Sequence, residues 1–195
     1  WQTYTVALAD LQTAGLDLSA IDVIMVFPEW GKGEAAVFQL DNVEITSPLA
    51  ASPSLDVFVD AEYPSWPLWD CCGGSTPMVV EDEDPAHGAS AEFAIGATPT
   101  VMGFISRGGN TDSPAPFDAS AILADGVVQF DLKVVTAPSD ASAPWLFKIE
   151  SDNAATAAEL NLMASVEGAE PTAGQWQTYT FKISDLVVAG LDPSA

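Results

Sequence analysis

Basic residues, histidine, cysteine and long apolar runs are all scarce in this 195-residue chain. Five Lys or Arg stand against 28 Asp or Glu, and the formal charge of −23 excludes nucleic acid and anionic membranes as partners. A single histidine leaves no multi-histidine metal centre and at most one Ser-His-Asp triad. No apolar run approaches the ~18 residues of a membrane-spanning helix. We therefore expect a water-soluble protein that is not an enzyme.

Helical periodicity is also nearly absent, and short strand-like segments take its place. Ten of them recur between turn signals: Val23–Phe27, Ala36–Ile45, Leu55–Val59, Met78–Glu81, Ala91–Ile95, Val101–Ser106, Val127–Val135, Trp145–Glu150, Glu159–Met163 and Trp176–Ile183. One short helical turn is expected at Leu8–Ala14 and again at Ile183–Ala189, each closed by a glycine. This pattern predicts an all-β fold, a jelly-roll β-sandwich of two antiparallel sheets.

Alternation along two of these strands indicates which side chains face the core. Four residues share one face of the segment Val127–Val135: Val128, Phe130, Leu132 and Val134. Three residues share one face of the segment Trp145–Glu150, opposite Lys148 and Glu150: Trp145, Phe147 and Ile149. We expect both sets to be buried.

The last twenty residues repeat the first twenty, with thirteen identities at an offset of 175 residues and no gap. This period far exceeds the roughly 20–50 residues of a solenoid unit, so each repeat is expected to be a whole domain in a tandem array. Residues 1–48 are then the C-terminal part of one module, 49–54 a proline-punctuated linker, and 55–195 most of the next module. We expect Ile21–Ile45 to fill the strands that the second module lacks, within the chain or between chains.

The segment Trp66-Pro67-Leu68-Trp69-Asp70-Cys71-Cys72-Gly73-Gly74 contains both cysteines, side by side. In an oxidising compartment Cys71 and Cys72 are free, paired between molecules, or joined in a vicinal disulfide, which the two glycines would ease. Such a disulfide presents a flat apolar surface beside Trp66 and Trp69, and together they could form a platform for a sugar ring. Alternatively, the two tryptophans plug one end of the sandwich.

Two further residues are candidates for carbohydrate contact. Trp30 lies at the tip of the turn Phe27-Pro28-Glu29-Trp30-Gly31-Lys32-Gly33-Glu34, and tryptophan stacks well against sugar C–H groups. Its alternative role is to pack against its own turn. Arg107 is the only arginine and could donate to hydroxyls or to a carboxylate, or else form a surface ion pair.

Acidic residues suggest a structural calcium ion. Asp41 and Asn42 interrupt a strand, where both residue types are disfavoured, and Ca²⁺ takes hard oxygen ligands. Asp60 and Glu62, from the module's first strand, are the expected partners of Asp41. Local turn hydrogen bonding by Asp41 is the alternative, and the run Glu81–Asp84 is interpreted as a solvated acidic turn.

Five motifs give the chain a family resemblance: Trp69-Asp70-Cys71-Cys72-Gly73-Gly74, Phe130-Asp131-Leu132-Lys133-Val134-Val135, Trp145-Leu146-Phe147-Lys148-Ile149-Glu150-Ser151, Trp176-Gln177-Thr178-Tyr179-Thr180-Phe181 and Phe27-Pro28-Glu29-Trp30-Gly31. It resembles the repeated accessory modules of secreted laminarinase-type glycoside hydrolases of marine bacteria. Leu40-Asp41-Asn42-Val43 also resembles the closing strand of galactose-binding-like carbohydrate-binding modules, which implies a structural Ca²⁺ at Asp41. The Glu-x-Asp-x-x-Glu signature of the laminarinase catalytic domain is absent.

Two functions follow as hypotheses. The first is a secreted or cell-surface, non-catalytic carbohydrate-binding module that binds a neutral β-glucan such as laminarin weakly, with avidity across the array. The second is a structural repeat of an extracellular adhesin, stalk or filament, whose units or chain copies exchange strands.

Overall fold

The computed structural model describes residues 2–46, 54–106, 117, 119, 122, 126–151 and 156–182. These residues form twelve strands, one α-helix and a 3₁₀ turn: β1 Gln2–Ala7, α1 Leu8–Thr13, β2 Ile21–Pro28, β3 Val37–Thr46, β4 Leu55–Phe58, β5 Leu68–Asp70, β6 Ser75–Glu81, β7 Ala89–Ile95, β8 Met102–Ile105, β9 Val127–Thr136, β10 Trp145–Ser151, β11 Thr156–Asn161, the 3₁₀ turn Leu162–Ala164, and β12 Trp176–Lys182. No helix in these ranges is long and apolar enough to cross a membrane.

The strands form the two sheets of an all-β sandwich, as predicted. The larger sheet has the order β12, β9, β3, β7, β6; β4 pairs with the far end of β3, and β1 pairs with β9 in the same register as β12. The smaller sheet has the order β11, β10, β2, β8, β5 and is antiparallel throughout. Three neighbouring pairs are consecutive along the chain, namely β3–β4, β6–β7 and β10–β11, but the other neighbours come from distant parts of the sequence, so long-range pairing holds most of the sandwich.

The core lies between the sheets and contains both predicted sets of side chains. Phe130 and Phe147 are fully buried and stack across the two sheets with their ring centroids 5.6 Å apart. The other members of the two sets are buried as well: Val128, Leu132, Val134, Trp145 and Ile149. Glu150 is also buried, although the alternation predicts the opposite face, and it pairs with Lys148 at 2.7 Å.

The segment Ile21–Ile45 is built into this sandwich within the chain. Its β2 lies between β10 and β8, and its β3 lies between β9 and β7. The strands that flank the predicted linker also pair with each other, since Ile45 lies opposite Leu55 and Val43 opposite Phe58. Residues 49–53 of that linker lie outside the described residues.

The helical turn after the first Trp-Gln-Thr-Tyr strand ends as predicted. Gly15 adopts a φ of +94°, and the Leu16 N–H donates to the Leu11 carbonyl at 2.8 Å, which is a helix-terminating arrangement that favours glycine. The second copy of this turn, 183–189, lies outside the described residues.

Candidate functional site

The turn between β2 and β3 holds Trp30 in solvent. Its indole is 54% exposed, which does not agree with packing against its own turn. The turn itself is fixed: the Lys32 N–H donates to the Glu29 carbonyl, and their side chains form an ion pair at 2.9 Å. Hydrogen bonds from Ala35 to Ile95 and from Ile95 to Ala36 tie the turn to β7. The sandwich therefore presents Trp30 from a rigid support.

A vicinal disulfide lies in the loop between β5 and β6. Cys71 and Cys72 are joined, so the structure has the third of the predicted alternatives. Cys72 is exposed and Cys71 is half-buried. Gly73 has a φ of +70°, and a side chain on Gly74 would collide with the Thr98 carbonyl, so the loop needs both glycines.

The carboxylate of Asp70 holds this disulfide loop in place through hydrogen bonds. Its Oδ1 accepts the N–H groups of Cys72 and Gly73 at 3.0 and 3.2 Å, and its Oδ2 accepts the Ser75 N–H at 2.6 Å. The Thr100 hydroxyl also donates to Oδ1. Burial opposes ionisation, but hydrogen bonds from Thr100, Cys72 and Ser75 outweigh it and lower the pKa of Asp70. The loop is thus built around a carboxylate.

The loop 96–101 connects the disulfide to the tryptophan turn. On one side, the Gly96 N–H donates to the Gly74 carbonyl at 2.7 Å and Thr100 reaches Asp70. On the other side, the same loop lines a cleft with the Trp30 turn, from Pro28 to Glu34. The turn and the disulfide therefore lie at one end of the sandwich. The cleft has a volume of about 30 Å³, enough for water but not for a sugar ring.

The other predicted carbohydrate contacts lie in different surroundings. Trp69, on β5, is half-buried against the core beside the disulfide loop. Trp66 is only 1% exposed, so the prediction that it lies on a surface platform is wrong. Its ring lies in the core, which agrees with the alternative that it plugs one end of the sandwich. Arg107 lies outside the described residues.

Asp41 lies in a buried polar cluster at a bulge in β3. Asn42 has a φ of +50°, and its N–H donates to Asp41 Oδ1 at 2.8 Å, as the local hydrogen-bonding alternative predicts. The Asn42 amide also donates to Asp131 Oδ2 at 3.2 Å, and His87 Nδ1 lies 3.2 Å from Asp41 Oδ2. Burial, with the charges of Asp60 and Asp131, raises the pKa of Asp41 to about 7.

His87 completes this cluster on the side of β12. Its ring stacks on Trp176 with centroids 4.6 Å apart, and Lys133 Nζ lies 5.5 Å from the centre of the Trp176 ring. Burial lowers the pKa of His87 to about 3, so the imidazole is neutral at physiological pH. A neutral histidine does not neutralise the carboxylates around it.

The three predicted calcium ligands do not converge. Asp60 lies beside Asp41, because its backbone N–H donates to that carboxylate. Glu62 instead accepts the Leu68 N–H at 2.9 Å on the exposed side of the chain, so its place in a shared site with Asp41 is corrected. Within the described ranges, no three His, Cys, Asp or Glu side chains are grouped to hold a metal ion.

The acidic turn at Glu81–Asp84 is only partly solvated. The side chain of Asp82 is 2% exposed and accepts a charged hydrogen bond from Lys133 at 2.6 Å. Burial opposes the ionised form, but the hydrogen bonds from Lys133, from the Asp84 backbone and from Trp176 together outweigh it and lower the pKa of Asp82.

Sequence reasoning did not single out Asp70, Asp131 or Lys133. Asp70 did have a local signal in the sequence. An aspartate just before a turn often accepts the backbone N–H groups two and three residues further along the chain, which is an Asx turn. Asp131 had no local signal, since its partners Asn42 and His87 come from remote strands and loops.

The fold is an all-β sandwich, and one exposed tryptophan, Trp30, lies at the end that holds the disulfide. Comparison with known protein families, curated proteins and solved structures finds no match.

Proposed function

We propose that this chain is a non-catalytic carbohydrate-binding module of a secreted or cell-surface protein, and that it binds a neutral β-glucan of the laminarin type. The single observation that carries the proposal is Trp30, which is 54% exposed on a turn that hydrogen bonds hold rigid. An exposed indole on a fixed turn can stack on the C–H face of a sugar without the cost of ordering the turn backbone.

The disulfide loop extends this surface. Cys72 is exposed, and the loop is fixed by Asp70 and by the Gly96 N–H at the same end of the sandwich as Trp30. Trp69 adds a half-buried indole beside it. The cleft between the loops is too small for a sugar ring, so the glycan would lie across an open surface. Binding by one module is therefore expected to be weak.

Charge narrows the ligand class. A chain with a net charge of −23 repels sulfated and uronic-acid polymers, whereas a neutral glucan meets no such barrier. In an array of repeats, tethered sites see each other at about millimolar effective concentration, which raises avidity by ~10²–10⁴.

Affinity electrophoresis against laminarin, agarose and alginate tests this function. We expect retardation by laminarin alone, and we expect Trp30→Ala to remove most of it. Met163→Ala is the matched control, since Met163 is also exposed, at 48%, but lies in the 3₁₀ turn after β11. Equal retardation of the two variants, or none of the unmodified chain, would contradict the proposal. Release of reducing sugar from laminarin would contradict its non-catalytic part.

We extend the proposal to a structural Ca²⁺ held by Asp41 and Asp60. In its favour, Asp41 is buried beside Asp60 and Asp131, and a cation would compensate the charge of these carboxylates. Glu62 does not belong to this set. Thermal unfolding with calcium and with EDTA tests it: a higher midpoint with calcium that Asp41→Asn abolishes is expected, and identical midpoints would contradict it.

A structural repeat in an adhesin, stalk or filament is the second candidate function. It is favoured by one observation: β1 and β12, the two copies of the repeated strand, pair with the same strand β9 in the same register. Electron microscopy of the purified chain tests it, and regular fibres are the expected result.

A further inference from the structure

Strand β9 has more partners than edges. A strand has two hydrogen-bonding edges, and β3 takes one of them along most of its length. Both β1 and β12 pair with the other edge, antiparallel and in one register. Gln2 and Gln177 both lie opposite Leu132, and the same holds down the two strands.

The side chains of the two strands coincide as the backbones do. The hydroxyls of Thr3 and Thr178 both donate to Asp131 Oδ1. The rings of Tyr4 and Tyr179 stack on Phe130 at centroid distances of 5.2 and 5.8 Å, each at an angle of 24°, and they take up the same position. Two strands cannot fill one position together, so β1 and β12 are alternative occupants.

We propose that the free edge of β9 is an acceptor site for a strand with the sequence Trp-Gln-Thr-Tyr-Thr, that one copy occupies it at a time, and that the copy left out can add to the same site in a second molecule of this chain when that molecule's own copies have left it. Strand addition of this kind uses main-chain hydrogen bonds for affinity and side-chain positions for specificity. The inference does not depend on carbohydrate binding. The segment expected to exchange between chains is then the repeated strand and not Ile21–Ile45.

The contacts identify β12 as the better occupant. Phe181 stacks on Phe147 at 4.9 Å, whereas the equivalent residue of β1 is the smaller Val6. The outer edge of β12 is bonded as well: the Val166 N–H donates to the Thr180 carbonyl at 2.7 Å, and Glu167 accepts the Thr180 N–H at 2.6 Å. Strand β1 is therefore the copy that is available for exchange.

Release of β1 disturbs little of the remaining fold. The strand is six residues long and is followed at once by α1, whose Leu8 and Leu11 are buried in the core. A hinge at Ala7 would free residues 2–6 while α1 stays in place. Because β12 then fills the site, the core beneath Phe130 loses no contact, and exchange of an identical element between molecules has a low cost.

Tyr4→Lys and Tyr179→Lys, alone and combined in the full chain, test the shared site. Each places a charge where a ring is buried, which excludes that strand from the site. We expect Tyr4→Lys to leave the unfolding midpoint unchanged and Tyr179→Lys to lower it by only a few degrees, because the other copy takes over. The double variant should lose on the order of 10 °C. If either single variant loses as much as the double variant, the proposal is overturned.

Mixing tests the exchange between molecules. The double variant has an empty site and the unmodified chain has a spare strand, so the two should form a 1:1 complex in native mass spectrometry below the unfolding midpoint of the double variant. Tyr4→Lys is the matched control, because its one competent strand stays in its own site. Tyr4→Ala/Tyr179→Ala serves as a milder acceptor. Absence of a complex with both acceptors, or an equal complex with Tyr4→Lys, would overturn the proposal.

Discussion

The open end around Trp30 and the buried cluster around Asp41 both concentrate polar and aromatic side chains, but they satisfy them differently. At the open end, Asp70 and the loop 96–101 satisfy the backbone and leave Trp30 and Cys72 facing solvent. In the cluster, Asp41 is 1% exposed, and backbone N–H groups and the side chain of His87 enclose its carboxylate. Groups that are fixed yet exposed are suited to a ligand, whereas groups that are fixed and buried stabilise the fold.

The largest effect that separates the two regions is expected for Asp70→Ala. The substitution leaves several N–H groups of the disulfide loop, and the Thr100 hydroxyl of the loop 96–101, without their acceptor. We expect a loss of about 1–3 kcal/mol in the free energy of unfolding, measured in urea, and loss of glucan retardation. Asp84→Ala, which removes an Asx turn outside this end, should leave retardation intact. Undisturbed glucan binding by Asp70→Ala would show that the loop is not part of the surface.

The pKa of Asp70 gives the same region a pH dependence. Because its folded-state pKa lies below the ordinary value of 3.8, its contribution to stability is present above pH 3.8 and is lost as the pH falls through the folded-state pKa. Asp70→Asn should therefore approach the unmodified chain in stability as the pH falls to that range. A constant difference between the two at every pH would contradict this assignment.

Removal of the disulfide is expected to have a smaller effect, confined to binding. Cys71→Ser/Cys72→Ser deletes the apolar sulfur surface while Asp70 still holds the loop backbone. We expect about tenfold weaker glucan affinity, or ~1.4 kcal/mol, with the fold retained by circular dichroism. Unchanged affinity would restrict the binding surface to the tryptophans.

The buried cluster should respond to pH instead of glucan. The pKa of Asp41 is raised to about 7, so its contribution to stability is full below pH 3.8 and is lost as the pH rises through 7. Asp41→Asn should thus unfold at a temperature roughly 2–4 °C higher than the unmodified chain at pH 8 without calcium, and at the same temperature at pH 4. A higher midpoint at pH 4 only would reverse the sign and contradict the assignment.

Glu62→Ala should give the smallest change. Its carboxylate accepts one backbone N–H on the exposed side of the chain, and water can replace it. We expect a loss of about 0.5 kcal/mol and an unaltered response to calcium. A calcium response that depends on Glu62 would restore it to the metal site.

The fold was more accessible from sequence than the sites were. Alternation along β9 and β10 is a local signal, and it placed Phe130 and Phe147 in the core. The adjacency of Cys71 and Cys72 restricted their pairing to few alternatives. Burial of Trp66 depends on how the neighbouring strand β5 pairs with β8 in the smaller sheet, and the grouping of Asp41 with His87 and Asp131 depends on register between remote strands. Those contacts have no local pattern in the sequence.

The identity of the first and last strands was visible in sequence, but its consequence was not. Repetition alone predicts two similar strands in two modules. Only the register against β9, with Tyr4 and Tyr179 both opposite Phe130, shows that they are alternatives for one position.

Amide and indole NMR spectra recorded during titration with a laminarin oligosaccharide test the contrast between the two regions most directly. The proposal predicts shifts at the Trp30 indole, at residues 71–74 and in the loop 96–101, with the Trp176 indole and His87 unmoved. Shifts centred on Trp176 and His87, or no shifts at saturating oligosaccharide, would contradict the assignment of glucan binding to the open end.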